Sequence, residues 1–227
     1  MSLETVSAVI TFFDSERYLT EAIDSVLAQT HPPTELLLVD DGSTDGSAVI
    51  ARSYGAPARY IHRENGGPAA ARNTALSHAG CDLLAFLDSD NRWLPGATAA
   101  RLAAFDADPG LDVVFAQARE FVSPELDASV LTARPARSGT TGALISSMLA
   151  RRSAFSTVGP FDERLRVGEW VDWFSRLQHS ACRTTVIPEV VVERRIHTSN
   201  NSAVHWDDGR EYTKALKAAL DRRRRGR

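Results

Sequence analysis

Cysteine is scarce in this chain of 227 residues, where Cys81 and Cys182 are the two present. They lie far apart and form no CxxC spacing, so they support neither a disulfide framework nor a cysteine-rich metal site. Because free cysteines are typical of reducing compartments, we expect a cytoplasmic protein.

Long apolar runs are also missing, and none approaches the roughly eighteen residues that span a bilayer. The N-terminus lacks the pattern of a signal peptide, because Glu4 precedes its apolar stretch and Asp14 closes it. With 43% hydrophobic and 24% charged residues, the composition is that of a globular protein. The length predicts one domain over residues 1–227 with a core of its own.

An excess of positive charge is absent outside the C-terminal tail. The net charge is −3, and five of the 26 basic residues are the arginines at positions 222–225 and 227. An acidic body argues against nucleic acid as the main partner. The tail itself is typical of a solvated charge run, with peripheral contact to anionic lipid as the alternative.

Apolar patterns in the first half alternate between strands and helices. Strands are predicted at 6–13, 35–39, 59–62, 82–87 and 112–121, and helices at 18–30, 45–54, 68–79 and 97–106. This order predicts a mainly parallel sheet flanked by helices on both faces. In the second half we expect a long loop at 125–142, a helix at 169–180, a strand at 184–196 interrupted by Pro188, and a helix with a basic end at 206–225.

Carboxylates follow three of the predicted strands, at Asp14, at the Asp40–Asp41 pair and at Asp88 and Asp90. Ligands of parallel sheets bind beyond the carboxyl ends of the strands. Aspartates there can present hard oxygen ligands to Mn²⁺ or Mg²⁺, and such a cation stabilises a leaving diphosphate. We therefore expect Asp41, Asp88 and Asp90 to converge on one divalent ion. The alternative for 88–90 is a polar turn with a helix cap.

Two segments that contain glycine follow neighbouring strands. In 40–47 a glycine allows a tight turn, and Asp41 can accept a hydrogen bond from an imide N–H such as that of uracil. In 65–73 a glycine pair opens a helix whose backbone N–H groups suit an anion, and Arg72 could reach a phosphate or a base. The alternatives are a capped strand-turn-helix and a capped helix with a surface arginine.

Together these segments resemble the inverting glycosyltransferases of family 2, which have the GT-A fold. The resemblance is collinear from Val6 to Pro95 and includes Val-Asp-Asp-Gly-Ser-Thr-Asp-Gly-Ser at 39–47, Asn-Gly-Gly-Pro-Ala-Ala-Ala-Arg-Asn at 65–73 and Leu-Asp-Ser-Asp at 87–90. It implies an α/β chain with a single Rossmann-like domain and a C-terminal acceptor-side region. Residues 1–110 would be the nucleotide-sugar-binding half, 111–205 the acceptor and catalytic half, and 206–227 a C-terminal helix and basic tail.

The resemblance also implies roles for individual residues. The residues expected to bind the donor are Thr11, Phe13, Asp14, Asp41, Arg72, Asp88 and Ser89. Asp90 looks like a ligand of Mn²⁺ or Mg²⁺, and His197 in the closing Arg-Ile-His segment could bind the metal or the diphosphate, or be structural. Arg195 could neutralise phosphate charge. The chain departs from the family at 11–14, where Thr-Phe-Phe-Asp replaces Pro-x-Tyr-Asn, although Phe13 could still stack on the base.

A second departure concerns catalysis. The family's Gly-Glu-Asp motif reads Gly-Glu-Trp here, so Trp170 occupies the usual position of the catalytic aspartate. On a helix Glu169 and Asp172 share a face. We favour Glu169 as the base because it lies at the helix start, with Asp172 as the second candidate. The alternative for Asp172 is a structural ion pair with Arg176, four residues on.

The sequence thus predicts a metal-dependent, inverting hexosyltransferase that moves a sugar from a nucleotide-diphosphate donor, a UDP-sugar, to an acceptor that the sequence does not identify. This acceptor could be a small molecule, a glycan, a lipid-linked sugar or a peptide. One alternative is a nucleotide-sugar-binding pseudoenzyme. The other is a nucleotidyltransferase, which would release pyrophosphate from a nucleoside triphosphate.

Overall fold

The computed structural model describes residues 4–126 and 143–197. Within these ranges the strands are β1 Val6–Phe12, β2 Glu35–Asp40, β3 Ala58–His62, β4 Leu83–Asp88, β5 Arg92–Trp93, β6 Val113–Val122, β7 Leu149–Arg151 and β8 Thr184–Ile196. The helices are α1 Leu19–Leu27, α2 Ser47–Ser53, α3 Pro68–His78, α4 Ala97–Ala107, α5 Arg152–Val158 and α6 Glu169–Gln178, with a 3₁₀ turn at Ile145–Ser147. None of these helices is long and apolar enough to cross a membrane.

The eight strands form one sheet in the order β3-β2-β1-β4-β7-β6-β8-β5. The pairings among β3, β2, β1 and β4 are all parallel. β7 runs antiparallel to both of its neighbours, β4 and β6, whereas β6 and β8 are parallel to each other. The predicted α/β fold with a mainly parallel central sheet is therefore confirmed, and the short β7 joins its two parallel parts.

Side chains of the central strands alternate between two apolar layers. On β1, Val6, Ala8 and Ile10 belong to a core shared with α1, α2 and α4, whereas Val9 belongs to a core shared with α3, α5 and α6. Helices thus cover both faces of the sheet. This is why continuous apolar runs, rather than alternating ones, mark these strands in the sequence.

The second half differs from the expectation in several places. β8 continues through Pro188, because the register between β6 and β8 is irregular there and tolerates a residue without an N–H. β5 and β7 are too short to show a periodic pattern, and the sequence did not predict them. Most of the loop expected at 125–142 and the whole helix expected at 206–225 lie outside the described residues.

The strand register brings the candidate residues to one edge of the sheet. Thr11 pairs with Asp88, and Phe12 pairs with Asp40. The carboxyl ends of β1, β2 and β4 are therefore level with each other. The polar residues that follow these strands can meet there, as the rule for parallel sheets requires.

Asp40 ends β2 as a buried carboxylate that holds this edge together. It accepts hydrogen bonds from the Tyr60 hydroxyl at 2.7 Å and from the backbone N–H of Ser43 at 2.8 Å. Burial alone would raise the pKa of Asp40, but these bonds and the nearby His62 outweigh it, so the pKa lies below its ordinary value of 3.8. The charged form of Asp40 therefore stabilises the fold.

We expect Asp40→Asn to weaken the fold most at neutral pH. A carboxyl whose pKa is lower in the folded than in the unfolded state adds to the free energy of unfolding. That addition is complete well above pH 3.8, the ordinary pKa, and is lost as the pH falls from there through the lower pKa of the folded state. Urea unfolding from neutral pH to about pH 3 should show the difference in unfolding free energy between wild type and variant narrowing with acid. Asp106→Asn, on the exposed face of α4, is the control. A difference for Asp40→Asn that does not change with pH would contradict this account.

Candidate active site

Polar side chains tie together the loops that follow β1, β2 and β4. Asp14 accepts a hydrogen bond from the backbone N–H of Thr44 at 2.7 Å, and its own N–H donates to Ser43 Oγ at 3.1 Å. The hydroxyls of Ser15 and Ser89 lie 2.9 Å apart. The predicted donor-binding residues carried by these loops and the adjoining strand end are Thr11, Phe13, Asp14 and Ser89. Among them the side chain of Phe13 stands out, because 47% of it is exposed although it is large and apolar.

The carboxylate of Asp41 is bound by the loop before α3, which follows β3 at the same edge. It accepts hydrogen bonds from the backbone N–H groups of Gly66 at 3.0 Å and Gly67 at 2.7 Å, and it forms an ion pair with Arg63. Only 4% of Asp41 is exposed. The N–H groups that were expected to bind a ligand anion are thus satisfied by the chain's own carboxylate, at a helix N-terminus that favours negative charge.

Arg72 lies at the centre of the site and contacts two carboxylates. Its guanidinium forms an ion pair with Glu169 and another with Asp88, the latter at 3.1 Å. It also lies 5.7 Å from the ring centroid of Phe161. Desolvation lowers the pKa of Arg72, but the two carboxylates more than compensate, so the guanidinium stays charged. This buried cation joins the end of β4 to the start of α6.

Asp88 is held on both oxygens. Ser146 Oγ donates to Oδ2 at 2.8 Å, and Asn91 Nδ2 lies 3.4 Å from the same oxygen, while Arg72 donates to Oδ1. The pKa of Asp88 lies above its ordinary value of 3.8, because desolvation and the nearby Asp90 raise it by more than Arg72 and Ser146 lower it. The carboxylate therefore has a defined orientation before any ligand binds.

Asp90 and His197 form a second pair beside Asp88. His197 Nε2 lies 3.1 Å from Asp90 Oδ2, and its ring packs on Tyr18 with centroids 4.8 Å apart. Arg195 is buried between the rings of Tyr18 and Phe121 and donates from Nε to the Asp90 carbonyl at 3.0 Å. Because Arg195 is used in this way, it supports the loop around Asp90 rather than standing open to a phosphate.

The structure thus groups the predicted residues into a loop edge, an Arg72 cluster and an Asp90–His197 pair. A sequence model described as "Glycosyl transferase family 2" matches residues 7–155, which is most of this chain.

The chain belongs to glycosyl transferase family 2.

The relatives agree with this membership. An uncharacterized glycosyltransferase of Rickettsia typhi is 28% identical over 225 aligned positions, which cover 91% of this chain and 69% of that protein. The chain is therefore a hexosyltransferase-type glycosyltransferase.

Solved structures share its fold. Residues 1–349 of TarS from S. aureus, solved with UDP-GlcNAc, superpose with a TM-score of 0.74 at 20% identity, over 95% of this chain and 65% of that chain. A mannosyltransferase from Pyrobaculum calidifontis, solved with GDP-Man and Mn²⁺, gives a TM-score of 0.72 at 18% identity, over 96% of this chain and 64% of that chain. The GT-A fold is confirmed, and the family 2 chain spans slightly less than two thirds of either solved chain.

The predicted convergence of three aspartates on one ion is wrong. Within 4–126 and 143–197 no group of three or more His, Cys, Asp or Glu side chains could hold a metal ion. Asp41 is instead paired with Arg63. A smaller site still fits the chemistry, because Mg²⁺ in proteins is commonly bound by one or two carboxylates, with waters and substrate phosphates as the other ligands. Asp90 and His197 are the pair that would hold such an ion, and in the structure their side chains contact each other, with Oδ2 and Nε2 3.1 Å apart.

Trp170, at the position of the family's usual aspartate, faces an aromatic cluster. Its Nε1 donates to the Ala143 carbonyl at 3.0 Å, and its ring packs edge-on against Phe115 and stacks on Trp173. Asp172 forms the expected ion pair with Arg176, at 2.9 Å. Glu169 joins the Arg72 cluster through its ion pair with Arg72.

Sequence reasoning missed three polar residues that support the site. Asn73 exchanges two hydrogen bonds of 2.9 Å with the backbone of Phe161, which precedes α6. Asn91 accepts from the backbone N–H of Arg195 at 3.0 Å, and Ser146 contacts Asp88. Asn73 ends the 65–73 motif and Asn91 directly follows the 87–90 motif, so their positions in the sequence indicated a role at the site. Ser146 carried none, because it lies in a segment without a motif.

Removing the charge of Arg72 should destabilise the protein strongly. Arg72→Met leaves Asp88 and Glu169 without their shared cation, and breaking a buried ion pair in this way costs about 3–5 kcal/mol. Arg164→Met is the matched control, because the side chain of Arg164 is 88% exposed and its surface salt bridge with Asp162 contributes little to stability. Urea unfolding measures both, and equal losses would mean that Arg72 is not the centre of the cluster.

Proposed function

We propose that this glycosyltransferase is metal-dependent and inverting, and that it transfers a sugar from a UDP-sugar to an acceptor hydroxyl. The observation that carries the proposal is the position of Arg72, which bridges a donor-side carboxylate, Asp88, and a candidate base, Glu169. A candidate base for the acceptor and a candidate contact for the donor are then neighbours, which a single displacement requires. Inversion follows because the acceptor attacks the anomeric carbon from the face opposite the diphosphate.

The donor is proposed to bind along the loop edge. The residues assigned to it are Thr11, Phe13, Asp14, Asp41, Arg72, Asp88 and Ser89. The exposed ring of Phe13 offers a stacking surface for the base. Asp41 is assigned to the donor from the family resemblance, and in the structure its carboxylate accepts from three donors of its own chain.

Asp90 and His197 are proposed to hold Mn²⁺ or Mg²⁺, with phosphate oxygens and waters as the remaining ligands. When bound, the cation offsets the negative charge of the departing diphosphate. The proposal is supported by the 3.1 Å separation of Asp90 Oδ2 and His197 Nε2. Arg195 supports the site from behind by holding the Asp90 carbonyl.

Glu169 is proposed as the general base, which takes the proton of the attacking hydroxyl. Its ion pair with Arg72 holds the carboxylate beside the same guanidinium that contacts Asp88. Asp172 is the second candidate, but its carboxylate holds Arg176, which in turn donates to the carbonyls of Val158 and Pro160. These contacts favour a structural role for Asp172.

Residues 1–110 are proposed as the donor half and 111–205 as the acceptor and catalytic half. The acceptor remains a small molecule, a glycan, a lipid-linked sugar or a peptide, and contact of the arginine tail with a membrane stays a prediction. So does the cytoplasmic location.

Glu169→Gln should lower the rate of transfer or donor hydrolysis by about 10²–10⁴-fold, the usual contribution of a general base, with donor affinity retained. Asp172→Asn should lower the melting temperature and leave the rate near that of wild type. Release of nucleoside diphosphate from the donor measures the rate, and calorimetric titration measures the affinity. The reverse pattern would assign the base to Asp172. A wild type that binds donor but never releases nucleotide would be a pseudoenzyme.

A thermal-shift screen of nucleotide sugars with and without Mn²⁺ tests donor and metal together. A ligand at 100 times its Kd stabilises the fold by about 2.7 kcal/mol, and we expect UDP-sugars to do so in a Mn²⁺-dependent way. Asp90→Asn should lose the Mn²⁺-dependent part. Asp82→Asn should keep the Mn²⁺-dependent part, because Asp82 is exposed just before β4, at the opposite edge of the sheet. Preference for GDP-sugars would contradict the uridine assignment, and pyrophosphate release from a nucleoside triphosphate would indicate a nucleotidyltransferase.

A further inference from the structure

We propose that Ser146 is a positioning residue that orients the Asp88 carboxylate for the donor, an inference that rests on the proposed donor contact of Asp88. Ser146 is 1% exposed and lies in the 3₁₀ turn before β7, far from Asp88 in sequence. Its hydroxyl donates to Asp88 Oδ2 at 2.8 Å and accepts from the backbone N–H of the same residue at 3.2 Å. One side chain thus holds both the backbone and the carboxylate of Asp88.

The direction of the Ser146 hydroxyl proton follows from its neighbours. A serine hydroxyl has one proton and two lone pairs. Two donors point at the oxygen, the backbone N–H of Asp88 and the Asn91 side-chain amide at 3.4 Å. The single proton is therefore free for Asp88 Oδ2. With Oδ2 held by Ser146 and Oδ1 facing Arg72, rotation of the carboxylate would break at least one charge-assisted hydrogen bond.

The turn that carries Ser146 is itself anchored from the core. Trp93 Nε1 donates to the Ser146 carbonyl at 2.9 Å, and Arg101 donates to the Met148 carbonyl at 3.0 Å while its guanidinium lies 4.4 Å from the Trp93 ring centroid. Arg101 is fully buried, and burial lowers its pKa to about 9, so it remains protonated at neutral pH. A functional side chain is held precisely when a rigid element supports it, and these bonds supply that support.

Ser147 provides a matched control within the same turn. It is also fully buried, but its hydroxyl donates to the Leu144 carbonyl at 2.8 Å. Ser146→Ala and Ser147→Ala remove the same atom from adjacent buried positions of one element. A difference between them in ligand binding therefore reports the contact with Asp88 and not the loss of a buried hydroxyl.

The test compares Ser146→Ala, Ser147→Ala, Asp88→Asn and the double variant Ser146→Ala with Asp88→Asn. The probe is UDP-GlcNAc with Mn²⁺, titrated by calorimetry, with melting temperatures measured in parallel. We expect Ser146→Ala to weaken binding about tenfold, the usual scale for a hydrogen bond to a charged group, and Ser147→Ala to leave binding near wild type. In the Asp88→Asn background Ser146→Ala should have little further effect, because the two act as one unit. Ser146→Thr, which keeps the hydroxyl, should restore binding.

The outcomes separate this inference from the proposed function. If Asp88→Asn binds as wild type does, the donor contact of Asp88 fails and the inference fails with it. If Asp88→Asn weakens binding while Ser146→Ala matches Ser147→Ala, the donor contact stands and the positioning role is overturned. Fully additive effects in the double variant would also overturn it.

Discussion

One buried guanidinium ties the site together, because Arg72 on α3 contacts Asp88 at the end of β4 and Glu169 at the start of α6. A charge removed from water is costly unless partners of opposite sign surround it. Two carboxylates so close to each other would in turn repel without a cation between them. The three residues therefore fix one another, and through them three elements that lie far apart in the sequence. The end of β4 and the start of α6 are held beside each other as a consequence of this electrostatic balance.

The acidic residues at the sheet edge divide according to what they bind. Asp14, Asp40 and Asp41 accept backbone N–H groups of the neighbouring loops, which would otherwise lack partners at the strand ends. Asp88 and Asp90 are held by side chains and stay partly exposed. The carboxylates of the adjacent Asp40 and Asp41 have different partners, because Asp40 contacts Tyr60 whereas Asp41 binds the loop before α3. One residue type is thus bound by backbone N–H groups at some positions of this edge and by side chains at others.

The parts of the fold that local patterns encode were predictable, and the parts that depend on long-range contacts were not. The β1 to β4 unit was predictable because β1, β2 and β4 contain continuous apolar runs, α1 has apolar residues at helical spacing and α3 is rich in alanine. β7 has three residues and no pattern of its own, and it exists because β4 and β6 pair with it on either side. The pairing of Asp172 with Arg176 was readable as an i,i+4 spacing. The contact of Ser146 with Asp88, and the use of Asp41 inside a loop, depend on how distant segments pack and leave no trace in local sequence.

Because Trp170 replaces the family's usual aspartate, the identity of the base depends on where the carboxylate of the neighbouring Glu169 points. Consecutive residues of a helix point about 100° apart, so Glu169 does not follow the path that an aspartate at position 170 would take. Gly168, with φ 83°, sets the angle at which the chain enters α6, and Glu169 has one more methylene than aspartate. A carboxylate at position 170 would instead lie among aromatic rings and beside the Ala143 carbonyl, surroundings that penalise its charge. The tryptophan fits this aromatic cluster, and on the proposed mechanism the base is Glu169, the carboxylate that Arg72 holds beside Asp88.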